Sequence, residues 1–317
     1  MRLTRCPCSS MSPCDVGLQH PSSGMLQPAC MEKTSNTPST PATPNISTPK
    51  SSKWKTCLSS QTEKVKPLKG FRERMRETSE RRESILILAL DLKGERLLER
   101  SLSLLEEVSQ SLCAVKLNRH LLLPLGLKGV KQIVEKARRL GIQTIMDCKL
   151  NDIGSTNLAI AESLFKAGFD ALTVSPYVGW KEGLEPVFKL AKSLGRGVLS
   201  LVYMSHPGAK ETFEEAFIQG KPAYQVFAGW AARWEADGLI VGATRPEKIR
   251  EIHHLVEGKL PIYSPGVGFQ GGSLEAAIEN GANYIIVGRS ILQTERPAEA
   301  AENFRRESWR LLRLRES

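Results

Sequence analysis

Long apolar runs are missing from this sequence of 317 residues. No stretch of about 18 uncharged apolar residues occurs, so neither a transmembrane helix nor a membrane partner is expected. No uninterrupted apolar segment follows Arg2 and Arg5, so the sequence also lacks a clear secretory signal. The apolar fraction of 41% is enough for a sizeable core. These features predict a cytoplasmic protein that folds around a core of its own.

Cysteine is scarce outside the N-terminal part of the chain. Only Cys113 and Cys148 lie beyond residue 83, both in predicted strands, which is typical of a reducing compartment rather than a disulfide scaffold. The early cysteines lack a paired C-x-x-C spacing and a histidine in register, so no metal site is predicted. They are Cys6, Cys8, Cys14, Cys30 and Cys57.

Positive charge is concentrated near the N-terminus. Residues 1–83 hold 14 Lys and Arg against 7 Asp and Glu, which accounts for +7 of the formal net charge of +10. A basic tail can bind nucleic acid, but this one offers only Trp54 and Phe71 for stacking on bases. We therefore predict no specific nucleic-acid partner, and weak electrostatic association of the tail is the alternative.

The composition also predicts where the folded part begins. Residues 1–62 are rich in Ser, Thr and Pro and poor in large apolar residues, so disorder is expected there. The charged segment 64–83 is predicted to form a helix that leads into the domain. The expected organisation is a disordered basic extension over 1–83 followed by one domain over 84–317. A transit peptide and a translation start at Met75 are alternatives for the extension.

From residue 84 onward, short apolar runs alternate with longer amphipathic segments, which is the pattern of repeated βα units around a parallel sheet. Predicted strands cover 85–91, 114–117, 144–149, 171–174, 197–202, 238–241, 262–264 and 284–287. Predicted helices include 128–140, 156–167, 182–194, 222–235 and 247–256. Eight such units fit a single (β/α)8 barrel, whose usual length is about 250 residues. A doubly wound open sheet is the structural alternative.

The end of the third predicted strand carries an unusual group of charges. Segment 145–153 reads IMDCKLNDI and places two carboxylates and an ammonium within six residues. Residues two apart on a strand point to the same face, so Asp147 and Lys149 are predicted to project together. In a site poor in water the carboxylate would keep this lysine charged. A surface salt bridge is the alternative interpretation.

Other polar residues also fall at strand ends, where the catalytic groups of a (β/α)8 barrel stand. Asp91 ends the first strand, and Lys116 lies inside the second, where an unpaired lysine would be costly. The fifth strand is followed by MSHPGA over 204–209, the seventh by SPGVGFQGG over 264–272, and the eighth by the GRS sequence over 288–290. We expect these groups to meet around one site.

The last two of these segments predict a phosphate site. Glycines let backbone N–H groups approach an anion, a helix N-terminus adds partial positive charge, and Arg289 supplies a fork of donors. The loops after the seventh and eighth strands are the usual position for phosphate in this fold.

At this point the residues carry a family resemblance. The chain from about residue 85 to residue 289 resembles the orotidine 5′-phosphate decarboxylases and is most similar to their archaeal-type branch. The matching stretches, in the family's order, are LALD (88–91), VK (115–116), DCKLNDI (147–153), MSHPGA (204–209), SPGVGFQGG (264–272) and VGR (287–289). Their combination is far more specific than any single stretch.

The resemblance implies a role for each matching position. It implies an alternating charge tetrad and a homodimer in which Asp152 reaches into the partner subunit's site. The implied catalytic residues are Lys116, Asp147, Lys149 and Asp152. The implied substrate-binding residues are Asp91 and Lys116 for the ribose, Ser205 for the pyrimidine edge, Gln270 for base and phosphate, and Gly288 and Arg289 for the phosphate, with Pro265 also included. Ile153 and Thr156 are implied to bind substrate together with Asp152, across the dimer interface.

The implied reaction is the decarboxylation of orotidine 5′-phosphate to UMP, the last step of UMP synthesis. Lys149 would stabilise the carbanion at C6 and then protonate it, with no metal and no organic cofactor. The enzyme alternative is a magnesium-dependent sugar-phosphate decarboxylase or aldolase of the same superfamily. Those relatives share the D-x-K-x-x-D pattern but typically carry an acidic residue in place of Lys116.

Overall fold

The computed structural model describes residues 69–317. The expectations for residues 1–68, including the disordered tail and its five cysteines, lie outside the described residues. The described residues belong to one compact unit. Helix α1 (Phe71–Arg82) agrees with the charged helix predicted over 64–83.

Eight parallel strands close into a barrel, which confirms the predicted fold class. The strands are β1 (Leu86–Ala89), β2 (Ala114–Asn118), β3 (Gln143–Leu150), β4 (Ala171–Val174), β5 (Gly197–Tyr203), β6 (Phe217–Ile218), β7 (Lys221–Pro222), β8 (Gly238–Val241), β9 (Ile262–Pro265) and β10 (Ala282–Val287). Around the barrel the order is β1, β10, β9, β8, β5, β4, β3, β2, and the strands β6 and β7 form a separate antiparallel hairpin. All eight predicted strands are present, and the hairpin is an addition to the loop after β5.

Helices surround the barrel and alternate with its strands. After α1 they are α2 (Leu97–Val108), α3 (Arg119–Arg139), α4 (Gly154–Ala167), α5 (Glu185–Ser193), α6 (Ala223–Arg233), α7 (Pro246–Leu255), α8 (Leu274–Glu279), α9 (Arg289–Leu292) and α10 (Pro297–Glu316). Helix α3 begins nine residues before the predicted helix 128–140, and Gly126 interrupts it with a φ of 60°. None of the helices between residues 69 and 317 is long and apolar enough to cross a membrane.

The strands are buried on both faces, as expected of a parallel sheet covered by helices. At the amino-terminal end, Phe71 of α1 packs against the start of β5, where a Cβ on Gly197 would lie 2.3 Å from the Phe71 ring. A Cβ on Gly238, at the start of β8, would lie 2.4 Å from the Tyr263 ring. These aromatic rings fill one end of the barrel, so the opposite, carboxyl end is left to form a site.

Candidate active site

A cavity of about 280 Å³ opens at the carboxyl ends of the barrel strands. Its wall contains nine of the twelve residues singled out from the sequence, contributed by six different strands or the loops that follow them. They are Asp91, Lys116, Asp147, Lys149, Ser205, Pro265, Gln270, Gly288 and Arg289. Residues far apart in the sequence therefore converge on one concave surface.

Asp147 lies at the centre of the charged part of this cavity. Its Oδ2 accepts a hydrogen bond from Lys116 Nζ at 2.7 Å, and its Oδ1 accepts one from Lys149 Nζ at 2.6 Å. Lys116 and Asp147 are only 6% and 8% exposed, so both charges are largely removed from water. One buried carboxylate thus bridges two ammonium groups, which excludes the interpretation of this motif as a surface salt bridge.

The pKa values of this group follow from burial and charge together. Burial raises the pKa of Asp147, but the charges and hydrogen bonds of Lys116 and Lys149 outweigh it and hold that pKa well below its usual range. Burial lowers the pKa of Lys116, and the negative charges of Asp147 and Asp91 more than reverse this, so its pKa is raised. Both groups therefore remain charged at neutral pH.

The pairing of Lys149 with Asp147 depends on an irregularity in β3. Lys149 has a φ of 47°, which is unusual for a residue other than glycine. The pairing of β3 with β4 shifts register between Met146 and Leu150, so the strand bulges at the charged residues. Thr173 of β4 supports the bulge, because its Oγ1 accepts from the Lys149 backbone N–H and donates to Asp147 Oδ1, each at 2.9 Å.

The opposite wall brings Ser205 and Gln270 close together around Gly266. Gly266 has a φ of +97°, and a Cβ there would lie 2.8 Å from Gln270 Oε1 and 3.0 Å from Ser205 Cβ. Thr244 Oγ1 donates a hydrogen bond to the Ser205 backbone carbonyl at 2.9 Å, which holds this segment against the loop after β8. The Ser205 hydroxyl and the Gln270 amide therefore belong to the same cavity as the two lysines.

Asp91 presents an open acceptor at the edge of the cavity. Its Oδ1 is buried and finds no hydrogen-bond partner within residues 69–317, and His120 Nε2 lies 3.9 Å away, beyond hydrogen-bond distance. Buried acceptors are normally paired, so this oxygen is suited to receive a donor from a bound molecule.

Three of the predicted site residues do not line the cavity. Asp152 lies just before the start of α4, and Thr156 lies in the first turn of that helix. Ile153, between them, is 63% exposed. The carboxylate of Asp152 accepts from the Ile153 backbone N–H at 2.7 Å, and buried Asn157 accepts from the Asp152 N–H at 3.2 Å. Within a single chain, the Asp152 side chain is held at the surface next to the cavity rather than inside it.

Several residues of the cavity and its support were not predicted from the sequence. Asn118, Met204, His206 and Phe269 line the wall, although Met204, His206 and Phe269 stand in motifs already singled out. Thr173, which hydrogen-bonds Asp147, is a polar residue inside the apolar strand β4. That position was the available signal, because a polar side chain in a buried strand needs a partner.

Replacing Asp147 by asparagine is expected to lower the free energy of unfolding at pH 7 by about 3 kcal/mol, because two lysines would lose their buried counter-ion. A carboxyl with a depressed pKa stabilises the folded state above its unfolded pKa of about 3.9, and this contribution is lost as the pH falls toward the lower folded-state value. The free energies of unfolding of wild type and variant, measured with urea, should therefore begin to converge below about pH 4.

Glu99→Gln, at an exposed position on α2, is the matched control and should change stability by less than about 0.5 kcal/mol. If the difference in the free energy of unfolding between wild type and Asp147→Asn is as large at about pH 3 as at pH 7, the Asp147 charge is not the source of this stability.

The geometry of the site can now be compared with known proteins. A closed parallel barrel whose strand ends carry lysines, a bridging carboxylate and a glycine-rich loop defines a (β/α)8-barrel enzyme. The sequence profile of the "Orotidine 5'-phosphate decarboxylase / HUMPS family" matches residues 84–304. The chain belongs to this family.

Curated relatives of the chain are named as one enzyme, a carboxy-lyase. The chain is 38% identical over 220 residues to the orotidine 5′-phosphate decarboxylase of Methanosarcina barkeri, covering 69% of this chain and 92% of the relative. It is 40% identical over 219 residues to that of Thermococcus kodakarensis, covering 69% and 94%. The resemblance to archaeal-type members is thus confirmed.

Solved structures agree with this assignment. The orotidine 5′-monophosphate decarboxylase of Methanocaldococcus jannaschii in complex with the inhibitor BMP superimposes with a TM-score of 0.61 at 30% identity, over 70% of this chain and 97% of that chain. The UMP synthase of Leishmania donovani gives a TM-score of 0.68 at 26% identity, over 77% of this chain and 57% of that chain.

Proposed function

We propose that this protein decarboxylates orotidine 5′-phosphate to UMP and carbon dioxide in the cytoplasm, as the final step of de novo UMP synthesis. The observation that carries the proposal is the buried Asp147 carboxylate that bridges Lys116 and Lys149 inside the cavity. Such a site is suited to a reaction that creates negative charge beside an ammonium group, and family membership supports the same substrate.

The proposed reaction leaves one electron pair on the substrate and transfers one proton to it. The bond between C6 and the carboxylate carbon breaks, carbon dioxide leaves, and the electron pair stays on C6. The Lys149 ammonium stabilises this carbanion and then donates its proton to C6, and the neutral amine regains a proton from water. Asp147 holds Lys149 Nζ by a hydrogen bond at 2.6 Å, and its negative charge opposes that of the substrate carboxylate.

Groups remote from C6 supply the binding energy in this proposal. The open acceptor of Asp91 and the ammonium of Lys116 bind ribose hydroxyls, and Ser205 binds the pyrimidine edge. Gln270 contacts both base and phosphate, while Arg289 and the backbone of Gly288, beside Pro265, hold the phosphate. Binding energy gained at the phosphate positions the base against Lys149.

We further propose that the active protein is a homodimer in which Asp152 completes the partner subunit's site. Exposed apolar side chains lie on α3 and α4 and just before α4, next to Asp152. They are Leu123 (81% exposed), Leu127 (45%), Ile153 (63%) and Ile160 (39%). Leu123, Leu127 and Ile160 line one shallow surface groove, and exposed apolar surface of this kind is typical of a protein interface. Thr156, on the same face, would accompany Ile153 across it.

A magnesium-dependent sugar-phosphate decarboxylase or aldolase remains the alternative within the family. The cavity disfavours it, because the position in the middle of β2 is Lys116, a cation paired with Asp147, rather than an acidic metal ligand. No group of three or more acidic, histidine or cysteine side chains able to hold a metal ion occurs within residues 69–317.

The test follows the ultraviolet absorbance of orotidine 5′-phosphate with purified full-length protein, with and without a metal chelator. Rapid loss of the substrate absorbance that the chelator does not change is the expected result. Loss of activity with the chelator, or turnover only of sugar phosphates with magnesium, would favour the alternative. A folded dimer without activity on orotidine 5′-phosphate would overturn the proposal.

A further inference from the structure

A large apolar side chain stands exposed in the loop after β9. Phe269 is 58% exposed, and its backbone N–H donates to Ser290 Oγ at 3.0 Å. The loop is closed on itself by hydrogen bonds from the Gly268 N–H to the Gly272 carbonyl at 2.9 Å and from the Gly272 N–H to the Gly266 carbonyl at 3.1 Å. The position of Phe269 is therefore set by its backbone, since burial does not hold the ring.

The ring of Phe269 lies against the guanidinium of Arg289. Arg289 Cζ is 3.9 Å from the ring centroid, within the range of a cation–π interaction. Within residues 69–317 the Arg289 guanidinium has no hydrogen bond or ion pair with another side chain, so the ring is the group that restrains it. Both residues line the cavity, on the part of the wall formed by the loops after β9 and β10.

Stacking restrains Arg289 without using its hydrogen-bond donors. The five N–H groups of a guanidinium lie in its plane, so a ring against the face leaves all of them free for an anion. A free arginine side chain loses rotamer freedom when it binds phosphate, and a restraint that exists before binding reduces that loss. A leucine at position 269 would keep the apolar surface but would have no π face.

We propose that Phe269 is a positioning residue for the phosphate of the substrate, acting by stacking on Arg289 and orienting its guanidinium before the substrate arrives. This inference rests on the proposed function, because it takes the phosphate of orotidine 5′-phosphate as the anion. The Ser290 hydroxyl contributes to this positioning, because it accepts the hydrogen bond that holds the backbone of Phe269 beside Arg289.

The test compares Phe269→Leu with wild type on two substrates, orotidine 5′-phosphate and orotidine, which lacks the phosphate. In Phe269→Leu we expect KM for orotidine 5′-phosphate to rise about tenfold, with a smaller effect on kcat. The loss of kcat/KM for orotidine should be about fivefold smaller than the loss for orotidine 5′-phosphate. Phe269→Tyr keeps the ring and should restore KM to within about twofold of wild type. Phe217→Leu is the matched control, because Phe217 is also exposed but lies on the β6–β7 hairpin, away from the cavity.

A double-mutant comparison separates stacking from a general loosening of the loop. In an Arg289→Ala background, Phe269→Leu should add little, because its partner is gone. An equal loss for both substrates, or the same rise in KM without Arg289, would overturn the proposal.

Binding of UMP and uridine, measured by calorimetry, keeps the inference distinct from the proposed function. If wild type fails to decarboxylate, the proposed function fails, while weaker UMP binding by Phe269→Leu with little change for uridine still supports the pairing. If decarboxylation is normal and Phe269→Leu behaves as wild type on both nucleotide and nucleoside, the pairing is overturned and the proposed function stands.

Discussion

Replacing Lys149 by alanine is expected to lower kcat/KM for orotidine 5′-phosphate by at least about 10⁴-fold, because in the proposed mechanism this one side chain both stabilises the C6 carbanion and supplies its proton. The fold should survive, since Asp147 keeps Lys116 as a buried partner at 2.7 Å. Steady-state kinetics by ultraviolet absorbance measures the loss, and circular dichroism with size-exclusion chromatography checks that the fold and the oligomeric state match those of wild type.

Two further variants separate the charge of Lys149 from its ability to donate a proton and supply a control. Lys149→Arg keeps a positive charge, but a guanidinium is a much weaker acid than an ammonium group and so a poor proton donor, and this variant should remain strongly impaired. Lys131→Ala removes an exposed lysine on α3 and is the matched control, with activity like that of wild type. Substantial activity in Lys149→Ala would show that another group protonates C6.

The second large effect concerns Asp152. Asp152→Asn alone is expected to lower kcat/KM by about 10² to 10³-fold, because in the proposed homodimer the partner subunit's site loses a carboxylate beside its lysines. A heterodimer of Lys149→Ala and Asp152→Asn chains should nevertheless recover about half of the wild-type activity. One of its two sites then combines a native Lys149 with a native Asp152, whereas the other site carries both defects.

The heterodimer can be isolated with two different affinity tags, and its activity compared with each parent homodimer. A heterodimer of Lys149→Ala and Lys116→Ala is the matched control and should stay inactive, because both of these residues lie in the same chain's cavity. Inactivity of the Lys149→Ala and Asp152→Asn heterodimer would show that Asp152 acts within its own subunit.

These experiments depend on features that the sequence revealed to different degrees. The barrel could be predicted because each buried parallel strand is a short, nearly continuous apolar run between amphipathic segments. Helix boundaries were less predictable. Helix α3 begins at Arg119 despite Pro124 and Gly126, and the β6–β7 hairpin is too short to produce a periodic pattern.

The residues of the active site were likewise predictable from the sequence only in part. The rule that catalytic groups follow barrel strands brought together Asp91, Lys116 and Arg289 correctly, because chain topology alone brings strand ends to one face. Simple strand alternation, however, does not describe β3, where Lys149 adopts a positive φ at a bulge supported by Thr173. That conformation costs energy locally and is maintained by contacts from a neighbouring strand.

The sequence by itself determined the fold class, the face of the barrel that carries the chemistry, and the set of charged residues on it, because apolar periodicity and position relative to strand ends are local properties of the chain. Only the tertiary structure decided that Asp147 bridges both lysines, that Asp152 stays outside its own cavity, and that Phe269 stacks on Arg289. These are contacts at distances of a few ångströms between separate segments, and they are set by bulges, loop closure and burial rather than by residue spacing.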